Sequence, residues 1–226
     1  MIVSQFGVES WMDQYEEGAK YNITDTCAKP LSLAELFSLA GEDRTDFMDR
    51  FFEREQTYGT IFGSEKVKKE ISRLYESISP EEILTEHGAT GGNQHIFFSL
   101  IRPGDRVIAF SPSYQQFYSA PEALGAEVTV LRLRRENGYL PDLDELSQAA
   151  ARGVRMICLN NPNNPTGTLI PSDMLKDIVT IARQSGAYLF CDEVYSGVSI
   201  DGARSLSVCD LYEKGIATGS MSKAFS

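Results

Sequence analysis

From about residue 80 onward, short apolar runs alternate with amphipathic stretches of roughly 10–15 residues, and this rhythm limits the fold more than any other feature. Strands are expected at 83–86, 106–110, 127–133, 155–160, 187–193 and, at the end, 217–221. Helices are expected at 90–101, 114–124, 142–151 and 171–185. Their ends are marked by Arg102-Pro103-Gly104-Asp105, Gly125, Pro141 and Gly186. Such alternation builds βαβ units around a mostly parallel sheet, which makes the chain an α/β protein. The runs 107–110 and 188–190 are continuously apolar, as strands covered on both faces must be. In sheets of this kind, ligands sit at the carboxyl ends of the strands, so the segments that follow strands are the ones to read for chemistry.

The first 50 residues are polar and turn-rich, with one helix expected near 44–55. We divide the chain into residues 1–48, an N-terminal arm or part of a smaller unit, and residues 49–226, the main domain. The net charge of −11 argues against a nucleic-acid or anionic-membrane surface, because phosphates need Lys and Arg. No stretch is apolar for the roughly 18 residues a spanning helix needs, and the N-terminus has no basic-then-apolar leader pattern. Cys27, Cys158, Cys191 and Cys209 are scattered, with no CxxC pair and only His87 and His95 to add imidazole, so no metal site is expected. Cys158 and Cys191 lie in strand-like runs and read as buried thiols of a reducing compartment, the cytoplasm.

Five segments that flank expected strands carry chemistry. Asn160-Asn161-Pro162-Asn163-Asn164-Pro165-Thr166-Gly167 is a stiffened turn whose Asn amides can meet a ligand oxygen. In Cys191-Asp192-Glu193-Val194-Tyr195, Asp192 ends an apolar strand, where a partly desolvated carboxylate needs a cationic partner such as a protonated ring nitrogen. Lys223, in Ser220-Met221-Ser222-Lys223, can serve as a Schiff-base amine. Gly88-Ala89-Thr90-Gly91-Gly92-Asn93 opens a helix with small residues that let backbone N–H groups approach a phosphate. Tyr114, in Ser111-Pro112-Ser113-Tyr114, can stack on a flat ligand. Taken singly, each has an ordinary structural reading as a turn, a cap, a surface lysine or a core tyrosine. Together they match the functional groups of a phosphorylated aromatic aldehyde.

In this order and over roughly residues 50–226, these motifs resemble the fold-type-I enzymes that use pyridoxal 5′-phosphate (PLP), specifically the class I/II aminotransferases. The resemblance implies the three-layer αβα sandwich of the PLP-dependent transferase large domain. It implies that Lys223 forms the Schiff base and acts as general base, and that Asp192 pairs with the pyridine nitrogen. Asn164 and Tyr195 match the donors to the ring oxygen. Tyr114 occupies the stacking position, Ala89 and Thr90 the phosphate-binding turn, and Ser220 its hydroxyl partner. Tyr58, in Tyr58-Gly59-Thr60-Ile61-Phe62-Gly63, resembles the tyrosine that reaches the phosphate of the partner subunit in a homodimer. The activity implied is transfer of an amino group between an amino acid and a 2-keto acid. A PLP-dependent lyase or cyclase, an inactive PLP-binding fragment, and the sensor domain of a transcription regulator are the alternatives.

The chain departs from the family pattern in two ways. It stops three residues past Lys223, ahead of the family's phosphate-binding Arg and its C-terminal small domain, so a fragment lacking that domain is expected. The segment Ile23-Thr24-Asp25-Thr26-Cys27-Ala28-Lys29-Pro30 lacks the glycine many relatives carry before the proline, which puts Asp25, Thr26 and Cys27 forward as contacts to a substrate side chain.

Overall fold

The computed structural model describes residues 3–24, 26–199 and 205–225. Its described strands are β1 (Arg106–Ser111), β2 (Glu127–Arg132), β3 (Met156–Asn160), β4 (Tyr188–Asp192) and β5 (Gly215–Thr218). They form one sheet in the order β2-β1-β3-β4-β5, and every pair is parallel. The helices that cover it are α5 (Gly88–Leu100), α6 (Gln116–Ala123), α7 (Leu143–Ala150), α8 (Ser172–Ser185) and the short α9 (Val208–Leu211). A last turn, α10 (Met221–Ala224), follows β5. The helices at 90–101, 114–124, 142–151 and 171–185 and the four strands from 106 to 193 are thus met, with ends that move by no more than two residues. The final strand expected at 217–221 lies earlier, at Gly215–Thr218, because Ser220 caps α10 instead of extending the sheet.

Each inner strand is apolar on both faces, and its two faces enter two different cores. Ile108, Phe110, Ile157, Leu159, Leu189 and Cys191 point to the side covered by α7, α8 and α9, where they meet Leu146, Leu175, Ile178 and Val208. Their neighbours Val107, Ala109, Met156, Cys158 and Phe190 point to the other side, against Phe97 of α5 and Phe117 of α6. This alternation has a period of two, so one continuous apolar run serves two helix layers. The result is the αβα sandwich. Cys158 and Cys191 are buried thiols, as expected.

Two expectations fail. Residues 83–86 are not a strand. Ser79 and Glu82 form a reciprocal capping box around a short 3₁₀ turn (Pro80–Glu82), and Leu84 is exposed, with no strand beside it among the described residues. Nor is the rest of the N-terminal part merely turn-rich: beside α3 (Arg44–Phe52), which meets the helix expected near 44–55, it holds α1 (Gly7–Tyr15) and α2 (Leu33–Ala40). Helix α2 has a Ser32–Glu35 capping box and ends at Gly41, whose φ of 65° a side chain would disfavour. Asp43 caps α3. Neither α1 nor α2 has a buried residue, and at nine and eight residues their apolar periodicity is too short to stand out in the sequence. Helix α4 (Glu65–Ser72) precedes the main rhythm. Among the described residues, no helix is long and apolar enough to cross a membrane.

Candidate functional site

The strand order reverses at β1: the chain leaves β1 for β2 on one side, then crosses back to β3 on the other. Connections on the two sides of such a point diverge and leave a crevice outside the carboxyl ends of the strands. The expected motifs gather here. The segment after β1 brings Tyr114, the turn after β3 brings Asn164, the end of β4 brings Asp192 and Tyr195, and the segment after β5 brings Ser220 and Lys223. Helix α5 packs against β5 and α6, and its Asn93 meets Thr218 at the carboxyl end of β5, so its first turn, with Ala89 and Thr90, opens at the same edge.

Asp192 is buried, and its oxygens accept from the Asn93 amide (3.0 Å) and the Val194 N–H (3.1 Å). Burial pushes its carboxyl above the usual range, while these two bonds and the nearby Lys223 charge pull it back. Among the described residues, no cationic side chain forms an ion pair with it. The Asn164 amide donates to the Tyr195 hydroxyl (3.4 Å), which lies 3.1 Å from the Thr26 hydroxyl. The Lys223 amine is 3.4 Å from both Thr26 Oγ1 and Cys27 Sγ, and 5.9 Å from the centre of the Tyr195 ring. The backbone joins in: the Ala28 N–H donates to the Lys223 carbonyl (3.0 Å). An open cavity of about 550 Å³ lies against this group, lined by Thr26, Pro162, Asn164, Leu169 and Tyr195.

At the other end of the crevice, Thr90 Oγ1 lies 3.4 Å from the Tyr114 hydroxyl. The Tyr114 ring meets Phe6 and Phe117 edge-on at 5.8 and 6.0 Å, and its burial raises the phenol pKa. Ser220 Oγ accepts from the Ser222 N–H (3.1 Å), which leaves its own hydrogen to donate. Tyr58 stands apart from this cluster, fully exposed. Asp25 lies outside the described residues, whereas Thr26 and Cys27 come directly to the lysine. Three groups that the sequence reading left without a role belong to the site: Asn93, Gln116 and Thr218. They form a buried polar chain behind Asp192. Asn93 stood inside the small-residue motif, but nothing local marks an Asn in a helix as facing a carboxylate 99 positions away.

The donor set suits a phosphorylated heteroaromatic aldehyde. Among the described residues, no side chain caps the first N–H groups of α5, and a Cβ at Gly88 or Gly91 would meet nothing within 4 Å, so an anion has both donors and room. The Asp192 carboxylate suits a protonated ring nitrogen, and the Asn164–Tyr195 pair suits a ring oxygen. The Lys223 amine suits the aldehyde. No group of three or more His, Cys, Asp or Glu residues among those described is placed to hold a metal.

Comparison with known proteins gives the family. The family model described as aminotransferase class I and II matches residues 48–226. The chain belongs to this family. Among curated members, it is 33% identical over 148 residues to an LL-diaminopimelate aminotransferase of Syntrophobacter fumaroxidans, which covers 64% of this chain and 38% of that one. It is 32% identical over 150 residues to an aspartate aminotransferase of Pyrococcus horikoshii, covering 66% and 38%. A solved PLP-dependent aminotransferase from Streptococcus suis superposes with a TM-score of 0.95 at 43% identity, over all of this chain and 60% of its own. The aspartate aminotransferase of Thermus thermophilus shares the fold (TM-score 0.80, 20% identity, 96% of this chain and 57% of its own). The chain therefore spans about two fifths of the length of these curated aminotransferases and three fifths of the solved ones. The resemblance drawn from the motifs, over roughly residues 50–226, is met by the family match.

Proposed function

We propose that the chain binds pyridoxal 5′-phosphate and serves amino-group transfer between an amino acid and a 2-keto acid, with Lys223 as its reactive amine. The observation that carries this reading is the meeting, at one sheet edge, of the Lys223 amine, the buried Asp192 carboxylate and the Asn164–Tyr195 donor pair. When bound, the cofactor supplies a protonated ring that withdraws electrons from the substrate Cα. Asp192 keeps the ring nitrogen protonated. The N–H groups at Ala89 and Thr90, with the Ser220 hydroxyl, hold the phosphate, and Tyr114 packs on the ring. Lys223 would hold the cofactor through its aldehyde carbon, and its amine, once freed by the substrate amine, would take the Cα proton and return it at that former aldehyde carbon, across the intervening nitrogen. One side chain is thus both covalent partner and general base.

We further read residues 1–48 as an arm and 49–226 as the cofactor-binding domain, with the division inside α3, because α1 and α2 bury no residue of their own. The exposure of Tyr58 supports a homodimer in which that hydroxyl reaches the partner's phosphate. Free thiols at Cys158, Cys191 and Cys209 suit a cytoplasmic setting.

The test is borohydride reduction of the chain with PLP, followed by peptide mass mapping. A single pyridoxyl mark on Lys223, absent from Lys223→Ala, is expected. Marks spread over surface lysines such as Lys66, Lys68 and Lys69, or no mark at all, would overturn the reading.

A further inference from the structure

Asn93 lies on α5 with its side chain fully buried. Its Nδ2 is 3.0 Å from Asp192 Oδ2 and 3.0 Å from Gln116 Oε1, and its Oδ1 accepts from the Thr218 hydroxyl at 2.7 Å. Gln116 in turn donates from Nε2 to the Thr90 backbone carbonyl at 2.9 Å. Four segments from different parts of the chain therefore share one buried line of hydrogen bonds: the first turn of α5, the start of α6, the end of β4 and the end of β5.

The direction of every bond in that line is set from one end. A backbone carbonyl can only accept, so Gln116 must turn its nitrogen to Thr90 and its oxygen to Asn93. That oxygen also only accepts, so Asn93 must turn its nitrogen toward it. The Thr218 hydroxyl donates to the remaining Asn93 oxygen. The second Asn93 N–H then faces Asp192 Oδ2, which has to accept. A proton on that oxygen would set two hydrogens against each other. Close packing holds the arrangement, since a Cβ at Gly92 would lie 3.3 Å from Thr218 Cγ2.

We infer that Asn93 is a positioning residue: locked between Gln116 and Thr218, its amide holds Asp192 as an ionised acceptor and fixes it relative to the Thr90 turn. Its consequence for catalysis rests on the reading of Asp192 as the partner of the ring nitrogen. It then sets the spacing between the phosphate end and the ring-nitrogen end of the cofactor site by a single side-chain chain. Burial alone works against an ionised Asp192, and Asn93 is the side chain whose bond opposes it. The other ionisable groups that act at this place are Lys223, which favours the charge, and Glu193, Cys191 and Tyr114, whose negative forms oppose it.

The test uses Asn93→Leu, of similar volume, in the full chain without cofactor, with Tm measured from pH 4.5 to 8. Losing the bond moves the folded Asp192 further above its ordinary range. The variant is then penalised little at low pH, where the carboxyl is protonated, and progressively more as pH rises. The Tm gap to the parent is expected to widen by roughly 5 °C across that range, and to stay constant when both chains also carry Asp192→Asn. A gap of equal size at every pH would mean that Asn93 only packs, and would overturn the inference. If Asn93→Leu does not fold, Gln116→Met removes the lock without touching Asp192. It should show the same widening at smaller size, and its absence would likewise overturn the inference. PLP titration by absorbance separates the two claims. Asn93→Leu is expected to weaken binding about tenfold, and an unchanged affinity would overturn its role in the site. Unchanged affinity in Asp192→Asn would instead remove the ring-nitrogen reading, while the pH-dependent gap would still establish the Asn93 contact.

Discussion

The Thr26 hydroxyl lies 3.1 Å from the Tyr195 hydroxyl and 3.4 Å from the Lys223 amine, although 169 and 197 positions separate it from them. It is the point at which the N-terminal segment joins the edge of the sheet that carries Tyr195 and Lys223. The adjoining Ala28 N–H to Lys223 carbonyl bond holds that junction through the backbone.

Thr26→Val keeps the shape and removes the hydroxyl that meets both groups. One hydrogen bond of about 1–1.5 kcal/mol corresponds to roughly tenfold in rate. We expect amino-transfer kcat/KM to fall about tenfold with PLP affinity within about threefold, and Thr26→Ser to restore it. Steady-state kinetics with a cofactor titration would check this, and an unchanged rate in Thr26→Val would refute it.

Glu193 makes folding sensitive to pH. It is buried, and its Oε1 accepts from the Ser207 hydroxyl and the Val208 N–H, both at 3.1 Å. Burial nonetheless raises its pKa from 4.5 to about 7. A carboxyl whose folded pKa is raised gives its stability while protonated. That stability is full below the unfolded value, declines as pH rises, and is lost once pH has passed about 7. The loss is at most about 3 kcal/mol. Glu193→Gln keeps the accepting oxygen and should flatten this part of the profile, as urea unfolding at pH 5 and pH 8 would show.

Phe190 is the centre of the core between the sheet and α5 and α6. It is fully buried, with Phe97 and Phe117 edge-on at 5.6 and 5.8 Å. Phe190→Ala should cost about 3–5 kcal/mol, a Tm drop on the order of 10 °C. A drop of only a degree or two would show that the aromatic cluster collapses around the gap.

Two glycines should respond differently to alanine. A Cβ at Gly215 would lie 2.2 Å from the Val208 carbonyl oxygen, and backbone there cannot yield without moving α9. Gly215→Ala should lose more than about 2 kcal/mol. At Gly92 the Cβ would meet only a Thr218 methyl at 3.3 Å, and the helix gains about 1 kcal/mol from alanine, so the change should be near neutral. Thermal unfolding of both variants decides this.

Much of the site was legible because it is local. Asn164, Asp192 and Lys223 each sit in or just after a segment whose apolar run marks a strand, so their placement at the carboxyl edge follows from chain direction alone. Asn93 was not legible. A buried Asn in a helix of weak amphipathic pattern carries no local sign of its partners, which come from β4, β5 and α6. The reading of 83–86 as a strand failed for the same reason, since two apolar residues in a run of four do not show whether a sheet edge is there to receive them. The capping box just before them fixes a turn instead.

The sequence by itself determined the α/β class, the limits of most of the strands and helices after residue 88, and the family, because periodicity and turn chemistry are set by neighbours along the chain. Only the tertiary structure decided the strand order, the docking of Thr26 and Cys27 on Lys223, and the line from Thr90 through Gln116 and Asn93 to Asp192. Those depend on which faces pack together once the two cores have formed. Packing is a property of the whole chain, with its contacts fixed by shape and burial across more than a hundred residues.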